Sequence, residues 1–497
     1  MKRILLLCLL IGSFAHVYSQ INGAIISDSN NITIIKVWGT HQERGFAQGS
    51  LLGSKITAVF KNYLKPQFGS YYSYARNMVT NGSDLSYDSD FVDEAKSIVA
   101  GMDLAGSNRE KMDYVDMLVC NSFLDISKMM GSPLLIGCSS LISWGEATEG
   151  TDLSGHSVIS RHLDWTVNMN LVNNQIICIH LPSEPDEQPW LSIGFAGMFS
   201  VLSGFNQNLG VFQHQMDDFN GVSSLGKQFE PIWFSLRKSI EKLDYNSDGK
   251  NNVLDVKSAL SDHPQGYANG FLISSVARSS EATDSLIAMI AEVAPTSPNL
   301  VFRSNSFPDS IPGKNLYTAN YQIARNHAMH FCPRYNGIIS AIGNGTAISS
   351  TGNREMMRDH SNLPHNLQFM QFSPESDLFK ISVYRDGKAA YRNEPVTYQI
   401  SELFSAYSGI GEKIVTEPTL SVYPNPVTDR LTIRGFGQAG ETAVISVHDI
   451  NGKQLLSETQ SATGNDLFIS LKSLPSGLFF IKVLEGKNSG TVKILKH

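Results

Sequence analysis

Residues 135–148 read LIGCSSLISWGEAT and residues 156–165 read HSVISRHLDW, and the texture of the chain changes where the first of these begins. Upstream, apolar residues recur at helical spacing. Phe46, Leu51, Leu52, Ile56, Val59, Phe60 and Leu64 do so between Glu43 and Leu64, and Val115, Leu118, Val119, Phe123 and Ile126 do so between Asp113 and Met130. One apolar stripe per helix is what a segment needs to pack on a core, so both stretches are expected to be amphipathic helices. Downstream of Pro133, the runs SSLISWG, HSVISRHLDW, NQIICIHL, WLSIGF and NLGVFQH are short, apolar and separated by turn residues, the pattern of successive strands. Helices followed by strands in one stretch predict an α+β domain of stacked layers.

Cys138 sits at the change of texture. An apolar-flanked cysteine is by default an inert core residue. Its neighbourhood argues for chemistry: Trp144-Gly145-Glu146-Ala147-Thr148 follows six residues on, and then Arg161-His162-Leu163-Asp164-Trp165. Arg161 and Asp164 are three apart in a strand-like run, so alternation puts them on opposite faces unless the strand ends or bends there.

These words together resemble the N-terminal-nucleophile (Ntn) hydrolases of the penicillin acyltransferase-like, acid ceramidase-like cysteine peptidase family, with His162 standing where the family has Asn. Four further words support the resemblance. They are the helix start Trp38-Gly-Thr-His-Gln-Glu43-Arg44-Gly45 with Gly49, the turn Gly204-Phe205-Asn206 through Gly210-Val211, Tyr317-Thr318-Ala319-Asn320, and Cys332-Pro333-Arg334-Tyr335. Tyr321 stands where His is common. The resemblance covers roughly residues 35 to 390. It implies a four-layer αββα Ntn-hydrolase sandwich, Cys138 as nucleophile, Asp164 orienting the amine or thiol, and Arg161 fixing charge and substrate. Asn320 would donate to the oxyanion, and Arg334 would support Asp164 or bind an acidic group.

Such a nucleophile uses its own α-amine as base, an amine whose pKa lies near 8. The chain must then be cut between Gly137 and Cys138, by attack of the thiol on the preceding carbonyl. That expectation makes an α chain, 20–137, and a β chain from 138. The expected activity is that of a secreted linear amide hydrolase acting on an N-acyl amino acid, acyl amine, small peptide or ceramide-like lipid through a thioester. A phospholipase B-like lipid hydrolase or an acyltransferase is the near alternative. A non-catalytic calcium-binding surface protein is the alternative of another class.

Asp244-Tyr-Asn246-Ser-Asp248-Gly249-Lys250-Asn251-Asn252-Val-Leu-Asp255 has the form of a 12-residue EF-type loop. Oxygen ligands would come from Asp244, Asn246, Asp248, the Lys250 carbonyl, Asn252 and Asp255, with Gly249 at the sharp turn. Helical patterns flank it, from Trp233 to Leu243 and from Val256 to Leu260. A calcium ion here is expected to be a structural clip, with no cofactor needed for catalysis.

The two ends carry addresses. Residues 1–19 combine Lys2 and Arg3, an apolar run too short to span a bilayer, and Val17 and Ser19 before a cleavage point, the form of a secretory signal peptide. Residues 20–405 form the expected enzyme domain and 406–418 a linker. Residues 419–497 alternate apolar and polar residues between turns such as Asn451-Gly452 and predict a small C-terminal β-sandwich. Tyr423-Pro424-Asn425-Pro426, Asp449-Ile-Asn-Gly-Lys453, Leu474-Pro475-Ser476-Gly477-Leu478-Phe479 and the basic tail resemble the C-terminal sorting domain of type IX secretion cargo. This implies the secretion machinery as a partner and the cell surface or exterior as destination. Of 497 residues, 42% are hydrophobic and the net charge is −7, enough for a large core and wrong for nucleic acid. Four cysteines outside the leader are too few for a disulfide scaffold, although one bridge is possible.

Overall fold

The computed structural model describes residues 21–131, 137–215, 225–263, 265–306, 311–325, 332–407, 421–434, 442–449, 453–461, 466–485 and 488–497. The expected signal peptide, residues 408–418 of the expected linker and the Asn451-Gly452 turn lie outside them. The chain divides into two compact units between Tyr407 and Ser408.

The first unit is mixed α+β. Its strands are β1 (Gly23–Ser29), β2 (Ile32–Gly39), β3 (Cys138–Ser143), β4 (Val158–Asp164), β5 (Gln175–Pro182), β6 (Trp190–Phe195), β7 (Ser203–Asn206) and β8 (Leu209–Gln215). They continue as β9 (Phe271–Ala277), β10 (Ala288–Val293), β11 (Leu300–Arg303), β12 (Asn315–Thr318), β13 (Asn366–Ser373), β14 (Leu378–Val383) and β15 (Val396–Gln399). Nine of them form one sheet in the order β1-β2-β5-β6-β7-β8-β9-β10-β11, and six form another in the order β12-β3-β4-β13-β14-β15. The β2–β5 ladder is parallel; its neighbours β1–β2 and β5–β6 are antiparallel.

The strand sequences explain how these sheets pack. In β5 (QIICIHLP), Ile176 and Cys178 join one apolar cluster while Ile177 and Ile179 join another. Burial on both faces gives a continuous apolar run instead of clean alternation. The first cluster joins one face of the nine-stranded sheet to helices α1 (His41–Val59), α2 (Ser89–Leu104), α3 (Tyr114–Asn121), α4 (Phe123–Met129), α5 (Ile232–Glu241) and α6 (Val253–Ser261). The second joins that sheet's other face to the six-stranded sheet through residues such as Ile34, Ile193, Phe205, Ile142, Ile159 and Phe372. The third joins Leu141, Tyr317 and Phe369 of the six-stranded sheet to Ile338, Ile342 and Met357 of α7 (Pro333–Ile342) and α8 (Ser350–His360).

The helix expected over 43–64 begins two residues earlier, where Thr40 and Glu43 form a reciprocal capping box, and ends in a wider turn over Phe60–Leu64. The helix expected over 113–130 breaks at Ser122. Just before the break, Asn121 is fully buried and bonds the Gly197, Phe199 and Ser200 backbone. A Cβ on Gly49 would stand 1.9 Å from the Ile98 carbonyl oxygen, and one on Gly101 would stand 2.2 Å from that of Phe46. Only glycine permits α1 and α2 to approach so closely.

The second unit is strand-rich. Strands β16 (Ser421–Tyr423), β17 (Arg430–Arg434), β18 (Thr442–His448), β19 (Gln454–Ser461), β20 (Asp466–Ser470), β21 (Gly477–Glu485) and β22 (Asn488–Lys496) form two sheets, β16-β17-β20 and β19-β18-β21-β22. Both sheets contribute to one core, which includes Leu431, Ile433, Ile445, Val447, Ile469, Ile481 and Val483.

Candidate functional site

Cys138 is the first residue of β3 and is almost completely buried. In the antiparallel β3–β4 pair, Cys138 lies opposite Leu163 and Ser140 opposite Arg161. Residues opposed in this way share a face, so the thiol and Arg161 point to the same side while His162 and Asp164 point to the other. The alternation anticipated from the sequence holds, and the two faces meet at the end of the strand. Arg161 reaches along its face to place Nη2 3.7 Å from Cys138 Sγ and 2.8 Å from the Gln213 carbonyl oxygen on β8. Its Nε and Nη1 are buried without hydrogen-bond partners among the described residues.

The backbone of Cys138 is held by side chains. Its N–H donates to Asn320 Oδ1 at 3.2 Å, and its carbonyl accepts from Arg334 Nη1 at 3.2 Å. Arg334 also donates through Nη2 to Asn320 Oδ1 and lies 3.4 Å from Asp164 Oδ2. Asn366 donates to Asp164 Oδ1 at 2.9 Å. Burial lifts the Asp164 carboxyl to about 7, against the pull of Arg334, the Asn366 hydrogen bond and Arg161. The amide of Asp164 donates to the Gly137 carbonyl oxygen at 2.9 Å. A Cβ on Gly137 would press on Leu363 at 2.8 Å and on the Asp164 side chain at 3.3 Å, so a small residue is needed before Cys138.

Cys138, Arg161, Asp164, Asn320 and Arg334 therefore come together, from β3, both faces of β4, the residues after β12 and the first turn of α7. One expected role shifts: Asn320 presents its carbonyl oxygen to Cys138 and Arg334, as an acceptor. His162 faces away from the thiol, packs edge-on against Phe369 and bonds the Ser361 carbonyl. Burial pulls it down to about 3, leaving it neutral. Sequence reasoning did not single out Asn366, Gln213 or the Asp164 amide. Nothing within a few residues of Asn366 marks it, because its partner is two hundred positions away.

An apolar cavity lined by Tyr63, Cys120, Phe123, Trp165, Phe195 and Trp233 begins at the residue after Asp164. Trp165 donates to the Tyr63 hydroxyl, and Trp233 donates to Gln213 Oε1.

The loop at 244–255 closes on itself between α5 and α6. Asp244 accepts from the amides of Asp248 and Gly249, and Asp248 accepts from that of Lys250. Asn246 lies between them, accepting from Asp248 N. Asn252 caps α6. Asp255 is fully buried, and its oxygens accept from the amides of Tyr245, Asn246 and Asn252. Asp255, the carboxylate expected at the last ligand position, accepts these amides and so closes the loop onto the cap. Among the described residues, the one group of three His, Cys or acidic side chains close enough to share an ion is His41, Glu187 and Glu241. Arginines surround that group: Arg44 binds Glu187 at 2.9 Å, and Arg237 binds Glu241 at 2.5 Å and Glu94 at 2.7 Å. His41 bridges Glu94 and Glu187 at 2.7 and 2.9 Å. Among the described residues, no disulfide involves Cys120, Cys138, Cys178 or Cys332.

Residues 421–497 match the family model described as a secretion system C-terminal sorting domain. That domain marks the chain for secretion to the cell surface or the extracellular space, and among the described residues no helix is long and apolar enough to cross a membrane. The chain is also similar to two proteins of Dictyostelium discoideum. Protein dcd1B is 24% identical over 230 residues, 43% of this chain and 43% of that protein. Protein dcd1A is 23% identical over 249 residues, 47% of this chain and 55% of that protein. The chain thus spans about half the length of the curated relatives it matches.

Proposed function

We propose that the first unit is an Ntn-type cysteine amide hydrolase that matures by cutting itself before Cys138. The observation that carries this reading is the treatment of the Cys138 backbone: its nitrogen is bonded to the Asn320 side chain and its carbonyl to Arg334, with Arg161 at the sulfur. A plain strand residue has its backbone groups met by the neighbouring strand. Here nitrogen and sulfur are each given a dedicated polar partner, as a residue acting through both requires. The three stacked apolar clusters support an αββα sandwich as the frame.

In maturation, the Cys138 sulfur bonds to the Gly137 carbonyl carbon, with the Asp164 amide donating to the carbonyl oxygen. The Gly137–Cys138 carbon–nitrogen bond breaks and the thiol proton passes to the departing nitrogen, which becomes the α-amine. Water then hydrolyses the thioester, leaving a Gly137 carboxylate and a free thiol. In turnover the amine takes the thiol proton, sulfur attacks the substrate amide, and the proton leaves with the substrate's amine. Water again completes the hydrolysis, while an amine acceptor would give acyl transfer. Arg161 places a fixed positive charge beside the sulfur. N-acyl amines or amino acids and ceramide-like amides are the proposed substrates on the sequence resemblance; the apolar cavity at Trp165, about 30 Å³, has room for about one water and selects no acyl chain as it stands.

Intact-mass measurement on the secreted protein tests this directly. Wild type is expected to give a fragment beginning at Cys138, and Cys138→Ala an uncut junction. A wild-type chain continuous through Gly137–Cys138 would remove the proposal.

We further propose that the 244–255 loop binds calcium as a structural clip through Asp244, Asn246, Asp248 and the Lys250 carbonyl, with Asn252 and Asp255 as its cap. Calorimetry with calcium is expected to give saturable heat in wild type and none in Asp248→Ala; equal heats in both would refute it.

A further inference from the structure

A cavity of about 820 Å³, distinct from the apolar one, is lined by side chains of α8, by Lys380 of β14 and by residues 391–395. The steps proposed for Cys138 make no use of it. It gathers four cations, Arg354, Arg358, Lys380 and Arg392, against Glu355, Asp359 and Glu394. The two acids of α8 are committed to Arg358, which forks onto Asp359 at 2.8 and 2.9 Å and meets Glu355 at 3.5 Å. Of the lining acids Glu394 is left to face the other three cations, and Asp152 acts on Lys380 from outside the lining; none of the three has a carboxylate within ion-pair distance among the described residues.

Arg354 is the most telling of them. Its guanidinium lies 3.8 Å from the centre of the Phe369 ring, and Nη2 donates to Ser382 Oγ at 3.1 Å. Nη1 is buried and has no hydrogen-bond partner among the described residues. Folded proteins seldom leave a charged donor unmet in this way, because its lost hydration goes uncompensated. Burial pushes Arg354 down to about 10, and burial together with Arg354 lowers Lys380. Like charges held together around a partly dry recess are complementary to an anion.

We propose that this cavity binds the oxyanion group of a phosphate or sulfate ester, with the Arg354 guanidinium, Lys380 and Arg392 closing on its oxygens. The volume exceeds that of a free ion, so the rest of the ester lies along Tyr391 and Pro395.

Titration calorimetry on the full chain at constant ionic strength provides the test, with inorganic phosphate, inorganic sulfate and glycerol phosphate as probes. Flotation with phosphatidylcholine vesicles, with and without phosphatidic acid, separates a lipid headgroup from a soluble ester. Saturable binding is expected for at least one soluble anion, weakened about tenfold in Lys380→Gln and in Arg392→Gln, each change removing one charge-assisted contact. Arg354→Lys, which keeps the charge but loses the fork, is expected to weaken it as well, with an unchanged unfolding temperature showing that the fold persists. Flotation that depends on phosphatidic acid and fails in Lys380→Gln would assign the ester to a lipid. Absence of saturable binding to every probe, or equal binding by wild type, Lys380→Gln and Arg392→Gln, would overturn the proposal.

Discussion

Asp164 ends β4 with no exposed surface, and the proton on its carboxyl is worth following. Its folded pKa of about 7 lies above the ordinary carboxylate value near 3.9. Below about pH 4 the group is protonated in folded and unfolded chains alike. Between about 4 and 7 the folded chain keeps a proton that the unfolded chain releases, so folding loses stability as pH rises; above about 7 the loss is complete. Summed over some three units at about 1.4 kcal/mol each, the loss is up to roughly 4 kcal/mol. Measured in the uncut Cys138→Ala background, Asp164→Asn is expected to flatten urea-unfolding stability between pH 4.5 and 8 relative to its parent. An identical pH slope in both chains would show that Asp164 does not carry this proton. At this scale the sequence was legible where residue types are rare in combination. Gly137-Cys138 and the Arg161…Asp164 pair could be read because they are close along the chain. Asn366, which fixes the carboxylate, could not, since it arrives on β13 through sheet pairing alone.

The start of α1 joins separate elements through charge. His41 and Arg44 meet Glu94 of α2, Glu187 from the connection after β5, and Arg237 and Glu241 of α5. Burial by itself draws the His41 imidazolium down, but hydrogen bonds to Glu187 and Glu94 override it and raise its pKa to about 9, with Arg237 opposing. The stabilisation from this proton is complete below about pH 6.5 and is lost as pH rises through about 9, up to about 3 kcal/mol in all. Thermal unfolding of wild type is expected to fall over that window, and His41→Gln is expected to be less stable at pH 6 but much less sensitive to alkali. Equal sensitivity would place the alkaline transition elsewhere. The helix itself was legible from its apolar stripe, but the capping box of Thr40 and Glu43 that starts it was not singled out. The charged clamp was not legible, because four of its members come from three other elements whose packing no local pattern encodes. The break at Ser122 was missed for a related reason: Asn121 looks like one more helical residue until the loop at 197–200 claims its amide.

Over the whole molecule, five of the six strands from 138 to 215 could be read nearly to their ends because buried strands leave apolar runs; the short β7, Ser203–Asn206, was read as part of a turn. The assignment of those strands to two different sheets could not, since pairing order is a property of the folded chain. The C-terminal unit was the easiest to read, as short alternating strands with recurrent turn words, and residues 421–497 match a sorting-domain model.

The parallel β2–β5 ladder gives the proposed cut an architectural meaning. Strands β1 and β2 belong to the part before Cys138, yet they complete one edge of the nine-stranded sheet, and α1 and α2 cover its face. With no disulfide among the described cysteines, the two products would be joined by packing and ladder hydrogen bonds, parting in denaturant without reductant yet migrating together when native. Cys138, Arg161, Asp164, Asn320 and Arg334 come from distant stretches and meet only once β3, β4, β12 and α7 are assembled, and Arg161 is then held by the Gln213 carbonyl of the other sheet. On the proposed mechanism the enzyme is thus its own folding sensor: a misassembled copy keeps its peptide bond and stays silent, and each freed Cys138 amine certifies a completed fold.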